Sequence, residues 1–130
     1  TSPQSSLLPT DPLSRLKVRQ LAYTIFSGVQ PLQNLAAQRF HSLDKAEQRK
    51  FACHWIVKGF SSYEKLLENS SGTFSFGSQV SLADLCLVPQ VYNALRFNVD
   101  MKDYPKISTI YENCLATEPC KKAHPDRYID

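Results

Sequence analysis

Apolar positions recur every three or four residues along most of this chain, so the pattern predicts helices. Val18, Leu21, Ala22, Ile25, Val29, Leu32 and Ala36 keep that spacing. Asp11-Pro12 opens the run as a cap followed by a first-turn proline, and the helix is predicted to reach about Phe40. Pro31 falls inside it. A proline there removes an amide donor and crowds the carbonyl of Ser27, so a kink eased by Gly28 is expected. Ser42-Leu43 break the pattern, and Asp44-Lys-Ala-Glu47 has the form of a capping box. The helix behind it places Phe51, Trp55, Ile56, Gly59, Phe60, Tyr63, Leu66 and Leu67 on one broad face and ends in the turn cluster at 69–72. Residues 73–77 alternate briefly but are too short to carry a sheet. An ordered loop is expected there, with its aromatics packed beneath the next helix.

That next helix has almost no polar face. Between 82 and 91 only Asp84 and Gln90 are polar, and a helix apolar nearly all round is expected at the centre of a domain. Ser81-Leu-Ala-Asp84 supplies its start: Asp84 accepts from the Ser81 N–H, and the Ser81 hydroxyl accepts from the Asp84 N–H. Val80 and Leu85 stand where a hydrophobic staple needs them. The helix is predicted to run to about Phe97, interrupted by Pro89. Tyr104-Pro105 starts another, with Ile107, Ile110, Tyr111, Cys114 and Leu115 as its apolar stripe. Glu118-Pro119 opens a last short turn or helix, and a tail begins at His124. Residues 1–10 are Ser/Pro-rich and read as a linker or domain junction, with 11–130 as the helical domain. No convincing strand, repeat or glycine-rich phosphate loop is present. The expectation is an all-α bundle of about five helices around a capped, buried central helix.

Composition changes this picture little. At 130 residues, 42% hydrophobic and 21% charged, the chain suits one ordinary globular domain. A net charge of +3 with scattered basic residues is a weak footprint for nucleic acid or an anionic membrane, and neither partner is expected. Cysteines stand at 53, 86, 114 and 120 without a Cys-x-x-Cys, which favours a reduced, cytoplasmic setting over a disulfide framework, although an even count leaves disulfides open. Cys120 and His124 have helical spacing and Cys53 neighbours His54, but a zinc site would need them to converge, and no metal is expected. Asn69-Ser70-Ser71 matches a glycosylation sequon and is read as a turn. No apolar run reaches membrane-spanning length and no signal peptide is visible.

The order of these elements resembles the C-terminal helical domain of cytosolic glutathione transferases, whose central helix carries the same capping box and staple. Gly28-Val-Gln-Pro-Leu-Gln-Asn-Leu35, Ala83-Asp-Leu-Cys-Leu-Val-Pro-Gln-Val91 and Asn93-Ala-Leu-Arg-Phe97 narrow the resemblance to the zeta class, the maleylacetoacetate isomerases. Leu7-Leu-Pro9 and His124-Pro125 also fall in familiar places. The resemblance implies a preceding thioredoxin-like domain that supplies most of the glutathione site and the thiol-activating segment, and none of it lies in these 130 residues. It further implies glutathione as cosubstrate, a small acidic electrophile as substrate, a homodimer, and little activity for the helical half alone. Glutathione thiolate adds to the cis double bond of maleylacetoacetate, the bond rotates as a single bond, and elimination leaves the trans isomer.

The resemblance carries glutathione contacts onto Gln30, Asn34, Leu35 and Ala36, the last through its backbone because the family often has Ser there. Gln30 and Asn34 are four apart, so they share a helix face unless the kink rotates them. The plainer reading is that they satisfy the backbone freed by Pro31 or face solvent. Arg96 is the candidate for the substrate carboxylate, which its planar fork suits; as a last-turn residue it also suits the helix dipole. Tyr92, one turn earlier, is a candidate for the same pocket or for packing. His41, His54, Trp55 and Phe60 have no positioned partner in the sequence and read as surface or core. Ser81 and Asp84 read as structural, with a cap worth about 0.5–2 kcal/mol. The competing function is a noncatalytic interaction module, a use made of such helical domains in translation factors and synthetase complexes.

Overall fold

Short polar residues start the first three helices of the domain. In the computed structural model, which describes residues 7–69 and 72–128, Asp11 caps α1 (Pro12–Phe26) by accepting from the Ser14 N–H at 2.8 Å. Asn34 caps α2 (Leu35–His41) through the Ala36 N–H at 2.9 Å. Asp44 caps α3 (Lys45–Leu66) through the Glu47 N–H at 2.9 Å. Then come α4 (Leu82–Arg96), α5 (Pro105–Leu115) and α6 (Glu118–Ala123). The described residues contain no strand. Residues 1–6 of the expected linker, 70–71 of the turn and sequon, and 129–130 of the tail lie outside the described residues.

The expected single kinked helix from Asp11 to Phe40 is two helices separated by a turn. α1 stops at Phe26, where the N–H groups of Ser27 and Gly28 both reach the Tyr23 carbonyl. Pro31 has no N–H with which to resume the ladder, and Asn34 captures the Ala36 amide and starts a new helix instead. Gln30 and Asn34 therefore do not share a helix face: one lies in the turn and the other is a cap.

The end of α4 and the start of α5 are closed in different ways. α4 ends in a Schellman motif. The Asn98 N–H donates to the Leu95 carbonyl at 2.9 Å, the Val99 N–H donates to the Ala94 carbonyl at 3.0 Å, and Asn98 sits at φ 58°. No side chain next to α5 in sequence caps its start. Glu64 of α3 reaches across and accepts the Lys106 N–H at 2.8 Å and the Ile107 N–H at 3.0 Å.

α4 packs against α1 on one side and α5 on another, while α3 packs against α1, α2 and α5. Ile25, Val29, Ile56, Phe60, Leu87 and Ile107 are completely buried at the junction, where each such side chain contributes about 1.5–3 kcal/mol of hydrophobic free energy. Phe74 and Phe76 of the 73–77 loop pack against this core, as expected, and the end of the linker joins it: the Leu7 carbonyl accepts the Leu82 N–H at 2.9 Å.

Gly59 marks a close approach of α3 to the 27–34 turn. A Cβ on Gly59 would lie 2.1 Å from Cγ2 of Val29, which is fully buried and rotationally stiff. Gly59→Ala gains about 1 kcal/mol of helix propensity but meets an overpacking cost of about 1–3 kcal/mol. A net loss of up to about 2 kcal/mol is expected in urea unfolding, and restored stability in Gly59→Ala/Val29→Ala would identify the clash as its cause.

Candidate functional site

Leu85, Pro89, Tyr92 and Arg96 are spaced four, three and four apart, so they form one stripe along α4. The stripe is open. Leu85 is 45% exposed, and Pro89 and Arg96 are exposed too. α4 is therefore not enclosed all round, as its apolar sequence suggested. Between Leu85–Tyr92 and the α5–α6 end of the domain lies a groove of about 320 Å³, walled by Val80, Val88, Tyr111, Cys114, Cys120 and His124 among others. An apolar concavity with a few convergent polar groups is the usual form of a small-ligand site. The staple pair Val80 and Leu85 both line it.

Tyr92 stands on the groove wall, and its hydroxyl is already engaged. It donates to Asp126 Oδ1 at 2.5 Å, and the His124 ring meets the Tyr92 ring edge-on at 5.7 Å. The hydrogen bond to Asp126 raises the Tyr92 pKa, and the nearby Arg96 charge opposes that shift. Burial raises the Tyr111 pKa, so both phenols are O–H donors at neutral pH. Burial also pushes the Cys114 thiol up to about 12, with Asp84 and Cys120 adding to the shift; a thiol held there is not a nucleophile at neutral pH.

Arg96 lies one turn beyond Tyr92 and outside the groove wall. Its backbone carbonyl accepts from Arg49 Nη2 at 3.3 Å. Its guanidinium makes no hydrogen bond or ion pair to any described residue, so its five donors are free.

The second group of candidates lies on the 27–36 segment. Gln30 is half-buried in the turn, and its backbone N–H donates to the Ile25 carbonyl at 3.0 Å. Asn34 spends its Oδ1 on the α2 cap, which leaves Nδ2 to solvent. Leu35 is 61% exposed. Ala36 has given its N–H to Asn34, so a ligand cannot also take it. What this segment offers outward is two amide side chains and an apolar shoulder.

Gln33, Gln90 and Asn93 join the two groups. Gln33 Nε2 donates to Gln90 Oε1 at 2.9 Å, Gln90 Nε2 returns a bond to Gln33 Oε1 at 3.0 Å, and Asn93 Nδ2 reaches the same Gln33 oxygen at 2.9 Å. The sequence signal was Gln90, a primary amide on an otherwise apolar helix and only 1% exposed, which must find a partner. The partner's identity was not legible, because it lies 57 residues away. Asp126 was likewise read only as tail.

At the head of α4 the capping box is formed. The Ser81 N–H and hydroxyl donate to Asp84 Oδ2 at 2.8 and 2.9 Å. Asp84 does more than cap: its other oxygen accepts the Ser75 N–H at 2.8 Å, and Ser75 Oγ accepts from the buried Tyr63 hydroxyl at 2.8 Å. Of the residues read as surface or core, Phe60 is fully buried, His54 is exposed and His41 stacks on Phe51 at 4.5 Å. Half-buried Trp55 carries Lys58 Nζ 5.0 Å above its ring. Among the described residues no helix is long and apolar enough to cross a membrane.

Known proteins share this fold. Residues 30–122 match the family described as glutathione S-transferase, C-terminal domain. Over the whole chain the sequence is 44% identical to maleylacetoacetate isomerase of Mus musculus and 41% identical to probable maleylacetoacetate isomerase 1 of Drosophila melanogaster, of which it covers 59% and 52%. The chain thus spans little more than half the length of these relatives. The crystal structure of maleylacetoacetate isomerase from Anaeromyxobacter dehalogenans with bound GSH superposes with a TM-score of 0.91 at 40% identity, over 96% of this chain and 58% of that one. A bacterial zeta-class glutathione S-transferase, maleyl pyruvate isomerase, superposes at 0.90 with 35% identity, over 95% of this chain and 61% of that one.

Proposed function

Because the chain belongs to the glutathione S-transferase C-terminal domain family, we propose that it is the helical, substrate-binding half of a zeta-class enzyme. The reaction is glutathione-dependent cis–trans isomerisation of maleylacetoacetate. The observation that carries the reading is Arg96: an unpaired guanidinium at the open end of an apolar stripe, beside a turn that presents amides. In this reading the chain works joined to a thioredoxin-like domain, in a cytoplasmic homodimer, and residues 11–130 form its helical domain.

Each group then has a task. Glutathione, when bound, supplies the thiolate that adds reversibly across the cis double bond. Gln30 and the Nδ2 of Asn34 donate to its carboxylate and amide oxygens, a donor set that suits a polar peptide. Leu35 and Ala36 form the shoulder against which its backbone lies. Arg96 holds the carboxylate of the acid by a forked pair of bonds and sets its orientation. The Tyr92 hydroxyl, presented between Asp126 and the groove, borders the same acid.

The test is cis–trans isomerisation by the full-length chain, with gel filtration of the same preparation reading its dimer. Asn34→Ser separates two roles of one residue. Serine keeps the α2 cap and removes the amide donor. Asn34→Ser is expected to raise the KM for glutathione about fivefold to tenfold, the worth of one hydrogen bond, without lowering the unfolding midpoint. Asn34→Ala should do both. A full-length chain that folds and dimerises but neither binds glutathione nor isomerises the acid would be a noncatalytic interaction module instead.

A further inference from the structure

Gln33 is held at every polar atom it has. Its side-chain oxygen accepts two bonds, from Gln90 and Asn93, and its side-chain nitrogen donates to Gln90. Its backbone carbonyl accepts from Gln38 Nε2 at 2.5 Å, and its backbone N–H reaches the Val29 carbonyl at 3.2 Å. Two apolar side chains of similar size would hold the turn against α4 with no direction. A reciprocal pair of primary amides holds it in one orientation, because an amide as buried as Gln90 is unfavourable unless both its atoms are bonded. The residues on either side of this lock are the proposed ligand contacts. Asn34 follows Gln33 in sequence, and Arg96 lies one turn beyond Asn93 on the same face of α4.

We infer that Gln33 is a positioning residue: through Gln90 and Asn93 it fixes the turn bearing Gln30 and Asn34 at a set distance and orientation from Arg96, so that thiol and acid meet in register. The inference rests on the reading of 30–36 as glutathione contacts. Reactants displaced by about 1 Å lose rate steeply, so rigid spacing between the two contacts matters beyond stability.

The experiment uses the full-length enzyme and the variants Gln33→Leu and Gln33→Leu/Gln90→Leu. The single variant strands the buried Gln90 amide, and its unfolding midpoint should fall. The double variant removes both amides, and its midpoint should return to within about 2 °C of the parent, since replacing both partners of a buried pair is nearly neutral. In both variants the KM for glutathione is expected to rise about tenfold and kcat to fall about tenfold, as thiol and acid lose their register. Amide hydrogen exchange over 28–36 should quicken in the double variant. Asn93→Ala, which loses one bond at a half-exposed position, should give the same signature at about threefold, and decides the matter if the double variant remains unstable. A stable double variant with the parent's glutathione KM overturns the inference, whether or not exchange quickens. Failure of the underlying reading is seen separately: Gln30→Ala and Asn34→Ser would then leave the glutathione KM unmoved.

Discussion

Asp84→Ala is expected to destabilise the domain by about 3–5 kcal/mol, above the 0.5–2 kcal/mol of a lost helix cap. The larger figure comes from what surrounds the carboxylate. Asp84 is fully buried and accepts from three donors: the Ser75 N–H, the Ser81 N–H and the Ser81 hydroxyl. Alanine removes the acceptor from all three, where water cannot replace it. It also releases the 73–77 loop from α4, and with it the Ser75–Tyr63 bond that ties the loop to α3. Asp84→Asn keeps one acceptor oxygen and turns an amide donor toward the other donors, so an intermediate loss is expected. Urea unfolding midpoints at constant m-value measure both. A loss below about 1 kcal/mol for Asp84→Ala would mean that the loop is held without it.

Arg96→Ala should leave stability nearly untouched and lower kcat/KM for the acid about 100-fold in the full-length enzyme. Two magnitudes separate its possible roles. A last-turn arginine interacting with the helix dipole is worth about 0.3–1 kcal/mol of stability and nothing in substrate choice. A forked bond to a substrate carboxylate is charge-assisted, and a 100-fold loss corresponds to about 2.7 kcal/mol of it. The free guanidinium on the exposed end of α4 has no internal partner to lose, so the unfolding midpoint should move by no more than about 2 °C. Arg96→Lys keeps the charge without the fork and should recover only part of the rate. An unchanged kcat/KM in Arg96→Ala would return the residue to the dipole role, and the acid's anchor would have to be sought elsewhere.

Legibility followed the range of the interaction. Asp11, Asp44 and the Ser81–Asp84 box were readable because a cap and its amides are neighbours in sequence. Pro31 announced a disturbance but not its outcome. Whether the chain bends or breaks depended on Asn34 capturing an amide and on Gln33 finding α4. The apolar run from Leu85 to Val91 announced a central helix, but apolarity records only that water is disfavoured, not which neighbour excludes it. The open stripe with Leu85 and Pro89 was therefore invisible. For the candidate site, Arg96, Gln30 and Asn34 were named from motif likeness, and Tyr92 from its place one turn before Arg96. Their actual engagements, Tyr92 with Asp126 and Asn34 with Ala36, needed the fold. Gln33 went unnoticed because a glutamine in a polar segment carries no signal of its own.

The cap that Glu64 places on α5 has a consequence for how the domain comes apart. A helix whose first amides are closed by another helix has no autonomous beginning. Cutting the chain between Glu64 and Lys106 leaves α5 with its last turn intact and its first turn open to water, and leaves α3 with a carboxylate that has nothing to hold. Neither fragment inherits the bond, so α5 is expected to lose its first turn when α3 unfolds.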